Sequence, residues 1–118
     1  MNRHSYDPER ASALLPLLRS ITAEIRERTE TIDALESALQ ELGKTRRTRE
    51  LRGDAEAKLS IERREIRVAR RELERLGCVL DEDHPLRVLI PGADGALDHG
   101  FAWSPLDERL ENLELIPR

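Results

Sequence analysis

Apolar residues recur along the first third of the chain at Ala11, Leu14, Leu18, Ile21, Ile25, Ile32, Leu35, Leu39 and Leu42. The steps alternate between three and four residues, and Arg28 fills the one charged position. This is a heptad seam, which lays one apolar edge along a helix and leaves its other faces to water. Asp7 before Pro8 supplies a cap and a residue suited to the first helical position. Gly43 supplies a stop. A first helix is expected over 7–42. A second seam runs Ala55, Leu59, Glu62, Ile66, Ala69, Leu73, Leu76, again with one charged member. It predicts a second helix over 54–76, opening at Asp54 after Gly53 and closed by Gly77. A start near Thr48 is also compatible with "TRELR". Between the helices, "GKTRRTRELRG" reads as a basic loop over 43–53.

The two seams can be folded on each other as an antiparallel hairpin centred near Arg47. Leu35 then faces Leu59, Ile25 faces Ala69 and Leu18 faces Leu76. Arg28 and Glu62 fall one layer apart and are expected to pair. Such a pair adds little net stability but sets the register. Pro16 interrupts "SALLPLLRSI" at the position farthest from the seam. There it is expected to bend the helix around its core without breaking it. The first helix spans roughly 50 Å and the second roughly 33 Å at 1.5 Å per residue. The leucine-rich start of the first helix therefore needs another cover.

After Gly77 the period shortens from helical to extended. "PLRVLIPG" alternates Leu86, Val88 and Ile90 on one face, and "ALDHGFAW" alternates Leu97, His99, Phe101 and Trp103. "PGADG" between them is a hairpin-type turn, and "ENLELIP" offers a third short strand. The fold expected is mainly α: a long antiparallel two-helix coiled-coil hairpin followed by a small antiparallel β-meander over 78–118. The whole forms one α+β domain, with the meander folded back on the start of the first helix.

Composition sharpens this picture. Charged residues make up 37% of the 118 residues, and only Tyr6, Phe101 and Trp103 are aromatic. So thin an interior favours burial against a partner, and a homo-oligomer, with a dimer favoured, is expected. The net charge of −4 conceals an asymmetry. Residues 1–43 carry 5 basic and 8 acidic groups, residues 44–75 carry 12 and 7, and residues 76–118 carry 3 and 9. The middle is basic and the tail acidic. A single cysteine suits a reducing compartment. No stretch has the length of a membrane span, and a cytoplasmic protein without membrane contact is expected. Eighteen arginines against two lysines point to a GC-rich bacterial genome.

Several stretches in order, "YDPERASALLPLLRSI", the charged hairpin, "LERLGCVLDE", "VLIPGADG" and "FAW", resemble domain of unknown function family 2203, a bacterial family of small proteins. The "ALLPLL" run with its preceding cap is the most specific part. The resemblance implies the architecture and no activity. A typical member continues after the tryptophan with a Gly-Glu segment, a second Trp followed by His, and a Gly-Phe…Arg ending. Here "SPLDERLENLELIPR" departs from that pattern, so a family site built there is lost or rebuilt in this chain.

Three sets of residues carry candidate chemistry. Ile61 and Val68, seven apart and off the seam, form a stripe on the second helix that suits an oligomer contact, as when two hairpins make a four-helix bundle. Lys44, Arg46, Arg47, Arg49 and Arg52 could grip phosphates in a salt-dependent way. No aromatic residue interleaves them to stack bases, and the acidic tail opposes nucleic acid, which is not the expected partner. Cys78, His84 and His99 are weak metal-ligand candidates, because zinc sites favour tighter pairs than these spacings provide. No catalytic residue and no cofactor is implied. The expected function is a non-catalytic interaction or scaffolding module that self-associates through its helical faces or holds a protein partner. Polyanion binding by the loop is the alternative, and a metal-dependent enzyme is a weaker one.

Overall fold

Both seams form helices, and the helices pack on each other. The structure, a computed structural model, describes residues 4–43, 45–84, 86–107 and 110–112. Three helices, α1 (Pro8–Ala13), α2 (Leu15–Glu41) and α3 (Arg46–Arg75), precede four short strands. These are β1 (Val79–Leu80), β2 (Val88–Ile90), β3 (Phe101–Trp103) and β4 (Glu111–Asn112). The protein is mainly helical with a small antiparallel sheet, an α+β arrangement. It measures 58 × 27 × 24 Å. Among the described residues no helix is long and apolar enough to cross a membrane.

Seam residues Leu18, Ile21, Ile25, Ile32, Leu59, Ala69 and Leu73 are buried. At the charged step, Arg28 Nη1 meets Glu62 Oε2 at 3.1 Å, as the register requires, and Arg28 also pairs with Glu24 one turn away at 3.1 Å. The side chains sit at the seam's margin, and neither charge is left alone.

Pro16 does more than bend the first helix. It has no N–H for the Ser12 carbonyl, and its ring crowds that carbonyl. The helix divides at Leu14, whose backbone stays right-handed helical (φ −75°, ψ −19°). Pro16 falls in the first turn of α2, where a missing N–H costs least.

The basic loop is shorter than expected, and most of it is helix. Thr45 and Thr48 form a reciprocal capping box: the Thr48 N–H donates to Thr45 Oγ1 (3.2 Å) and the Thr45 N–H to Thr48 Oγ1 (2.8 Å). Two orphan donors are satisfied at once, so α3 opens at Arg46 instead of Asp54. Gly53 lies inside the helix. Glycine there costs about 1 kcal/mol relative to alanine, which a capped, packed helix of this length tolerates. Arg47 is therefore in α3 and not at the centre of a loop.

The sheet is a meander in the order β1-β2-β3-β4, antiparallel throughout. Ile90 pairs with Phe101 and Val88 with Trp103. Three details differ from the alternation read in the sequence. Val79–Leu80 forms an added first strand against β2. Leu86 lies outside β2 with a positive φ of 65°, and Leu97–His99 is a 3-10 turn, so His99 is not on a strand. The third strand expected in "ENLELIP" is β4, in its first two residues; the rest lies outside the described residues.

The sheet covers the leucine-rich start of α2. Val88, Ile90, Phe101 and Trp103 join Leu18, Ile21, Ile25, Ala69, Leu73 and Cys78 in one core. Tyr6 is also in that core, and its hydroxyl donates to the Leu76 carbonyl (2.8 Å) at the end of α3. Arg19 clamps the turn after β3. Its Nη1 and Nη2 donate to the Pro105 (3.3 Å) and Asp107 (3.1 Å) carbonyls, and its guanidinium lies 5.2 Å from the Trp103 ring. Gly92 and Gly100 permit the close return of the chain. A Cβ on Gly92 would strike the His99 carbonyl oxygen, and one on Gly100 the Ile90 carbonyl oxygen.

Candidate functional site

The outer face of α3 holds the largest apolar exposure on a regular element. Ile61 is 49% exposed, Val68 43% and Leu51 48%. Their spacing follows from the heptad: with Leu59, Ala69 and Leu73 facing α2, residues at 61 and 68 must point away from the seam. Leu51 extends the same stripe toward the N-terminus of α3 once the helix is allowed to start at Arg46. Sequence reading missed it because a loop had been expected there. Asp54, Lys58, Glu65 and Glu72 share that side of the helix at helical spacing.

The structure places the basic residues on a helix. Arg46, Arg47 and Arg49 are exposed, and Arg52 is half-buried toward the seam. Lys44 lies outside the described residues. Successive positions on a helix are about 100° apart, so the four arginines radiate around α3 instead of closing on one point. The capping box already uses the Thr48 N–H at this terminus.

The three metal-ligand candidates sit in different environments. Cys78 is fully buried, and burial pushes its thiol up to about 12. His84 is exposed in the bend after β1. His99 Nδ1 contacts Asp94 Oδ2 at 2.7 Å across the β2–β3 connection, both side chains about half exposed. The Ala96 N–H and then His99 hold the Asp94 carboxyl below its ordinary value. Among the described residues, no three His, Cys, Asp or Glu side chains converge where a metal could sit.

Two hollows flank the sheet. The larger, about 510 Å³, lies between the hairpin and β1 and has an apolar floor that includes Ile25, Leu73, Cys78, Leu80 and Leu86. Its mouth carries Arg26 with Glu30 on α2 and Arg70 with Glu74 on α3. Nearer the hairpin tip, Glu36 and Arg63 bridge the two helices at 3.7 Å. The smaller hollow, about 410 Å³, is lined by residues that include Tyr6, Asp7, Asp94, His99 and Phe101. Periodicity could not reveal either hollow, because both form where helices meet the sheet. A leucine at positive φ leaves no trace in a sequence either.

A family model described as "Uncharacterized conserved protein (DUF2203)" matches residues 4–109, and the chain belongs to that family. No curated protein and no solved structure matches it.

Proposed function

We propose that this DUF2203 protein is a non-catalytic interaction module that associates with a second copy of itself through the outer face of α3. The observation that carries the reading is the stripe of Leu51, Ile61 and Val68, each more than two-fifths exposed on an otherwise charged helix. Solvent-facing aliphatics set at helical spacing gain free energy when a matching face covers them, at roughly 25 cal/mol per Å² of apolar area removed from water. A second hairpin laid along α3 makes a four-helix bundle, the packing that such a seam favours. The charge asymmetry supports self-association, since one copy offers both a basic and an acidic end. A cytoplasmic, bacterial setting suits the lone thiol and the arginine-rich composition.

The test is light scattering over a concentration series, with Ile61→Glu/Val68→Glu as the variant. Wild type is expected as a dimer. The double variant is expected as a monomer with unchanged helical circular dichroism, because both side chains are exposed. A wild-type monomer at every concentration overturns the reading. The arginines of the α3 N-terminus favour polyanion binding only if affinity for a labelled oligonucleotide appears at low salt and is lost in Arg46→Ala/Arg47→Ala/Arg49→Ala.

A further inference from the structure

We propose that the two copies pair antiparallel along α3, with the basic hairpin tip of each lying beside the acidic sheet end of the other. This rests on the self-association reading and adds a direction to it. The molecule is a rod of 58 Å, with exposed arginines at the hairpin tip and exposed carboxylates after β1 at the sheet end. At the tip, Arg46, Arg47 and Arg49 are exposed and form no ion pair among the described residues. At the opposite end the exposed Glu82 and Asp83 follow β1 and Asp81, and the described residues after Gly77 include the further carboxylates Asp94, Asp98 and Asp107.

The charges flanking the apolar stripe select the same direction. A two-fold axis midway between Ile61 and Val68 sets Ile61 of one copy against Val68 of the other. The same register sets Asp54 against Arg75 and Glu65 against Arg64, each twice. One like-charged match, Lys58 against Arg71, also occurs twice and opposes them. An in-register parallel pairing has no such compensation. It sets Asp54, Lys58 and Glu65 each against its own copy, stacks the two arginine tips and stacks the two acidic ends. Like charges brought together in this way suppress the wrong arrangement. Charges act over about 10 Å at 0.1 M salt, so the ends matter only when they are adjacent, as the antiparallel register makes them.

The experiment measures the distance between spin labels at the tip in the full chain. Gly43→Cys places the label in open space, and the buried Cys78 is shielded from the reagent. Antiparallel pairing puts the two labels roughly 60 Å apart, counted at 1.5 Å per residue from the axis. Parallel pairing puts them within about 20 Å, given interhelical distances near 10 Å. The dimer is also expected to weaken at least tenfold in Arg46→Glu/Arg47→Glu/Arg49→Glu and on raising the salt. A dimer with close labels overturns the direction and leaves self-association standing. A dimer with distant labels that ignores the charge reversal overturns the role of the tip. A monomer overturns both proposals.

Discussion

Arg28 and Glu62 show what a single charged step in a seam does. Each is the other's partner across the helices, at 3.1 Å. Arg28→Leu leaves Glu62 at an apolar margin without that partner, Glu62→Leu leaves Arg28 only its contact with Glu24, and removing both replaces the pair with packing. Arg28→Leu and Glu62→Leu are each expected to lower the thermal midpoint, and the double variant to recover part of the loss. Calorimetry on the three proteins checks this. Trp103 is the largest fully buried side chain, and its indole N–H donates to the Asp107 carbonyl at 3.1 Å. Trp103→Ala is expected to cost about 3–5 kcal/mol in urea titrations, as truncation of a large core aromatic does. Cys78 supplies a pH dependence. Burial raises its folded value from 9.0 to about 12, so the unfolded chain loses its thiol proton first. The resulting stability is complete below pH 9 and is lost as pH rises toward 12. Burial of Tyr6 acts in the same direction. Alkaline unfolding curves are expected to be less steep in pH for Cys78→Ala than for wild type.

At the scale of elements, glycines separate two kinds of position. Gly53 lies in a helix with nothing within 4 Å of the place its Cβ would take. Gly53→Ala is expected to raise stability by about 1 kcal/mol. Gly100→Ala is expected to do the opposite, because the new atom meets the Ile90 carbonyl, and equilibrium unfolding of the two variants should diverge in sign. The same comparison explains the misplaced start of α3. Gly53 and Asp54 look like a stop and a cap, whereas the threonines at 45 and 48 are a weaker signal in the sequence. A reciprocal pair of hydrogen bonds outweighs one glycine. Pro16 was legible as an irregularity. Its consequence depended on whether the chain could restart a helix from Leu14, which the packing of α1 into the core through Ala11 allows.

Across the whole molecule the core is lopsided. Its buried residues gather at the sheet end, around Leu18, Ile21, Ala69, Leu73 and Trp103, and toward the tip the buried side chains are Ile32 and Leu59. Fewer buried contacts mean cheaper local opening. Amide hydrogen exchange is expected to be slowest in Leu18–Ile25 and Ala69–Leu73 and to quicken toward Arg46 on the one side and Glu41 on the other. Uniform protection along the hairpin would show that something else covers the tip.

The sequence by itself determined the helices, the seam and the Arg28–Glu62 contact, because these depend on periodicity and on residues a fixed number of turns apart. It also placed Ile61 and Val68 outside the seam, since a heptad leaves them nowhere else to point. Only the tertiary structure decided how the sheet meets the hairpin. The strand Val79–Leu80 exists because β2 is there to pair with it. The positive φ of Leu86 and the hollow it lines lie where α2 and α3 meet the β1 region. Such features come from long-range packing, in which neighbours in space are distant along the chain and no local pattern records them.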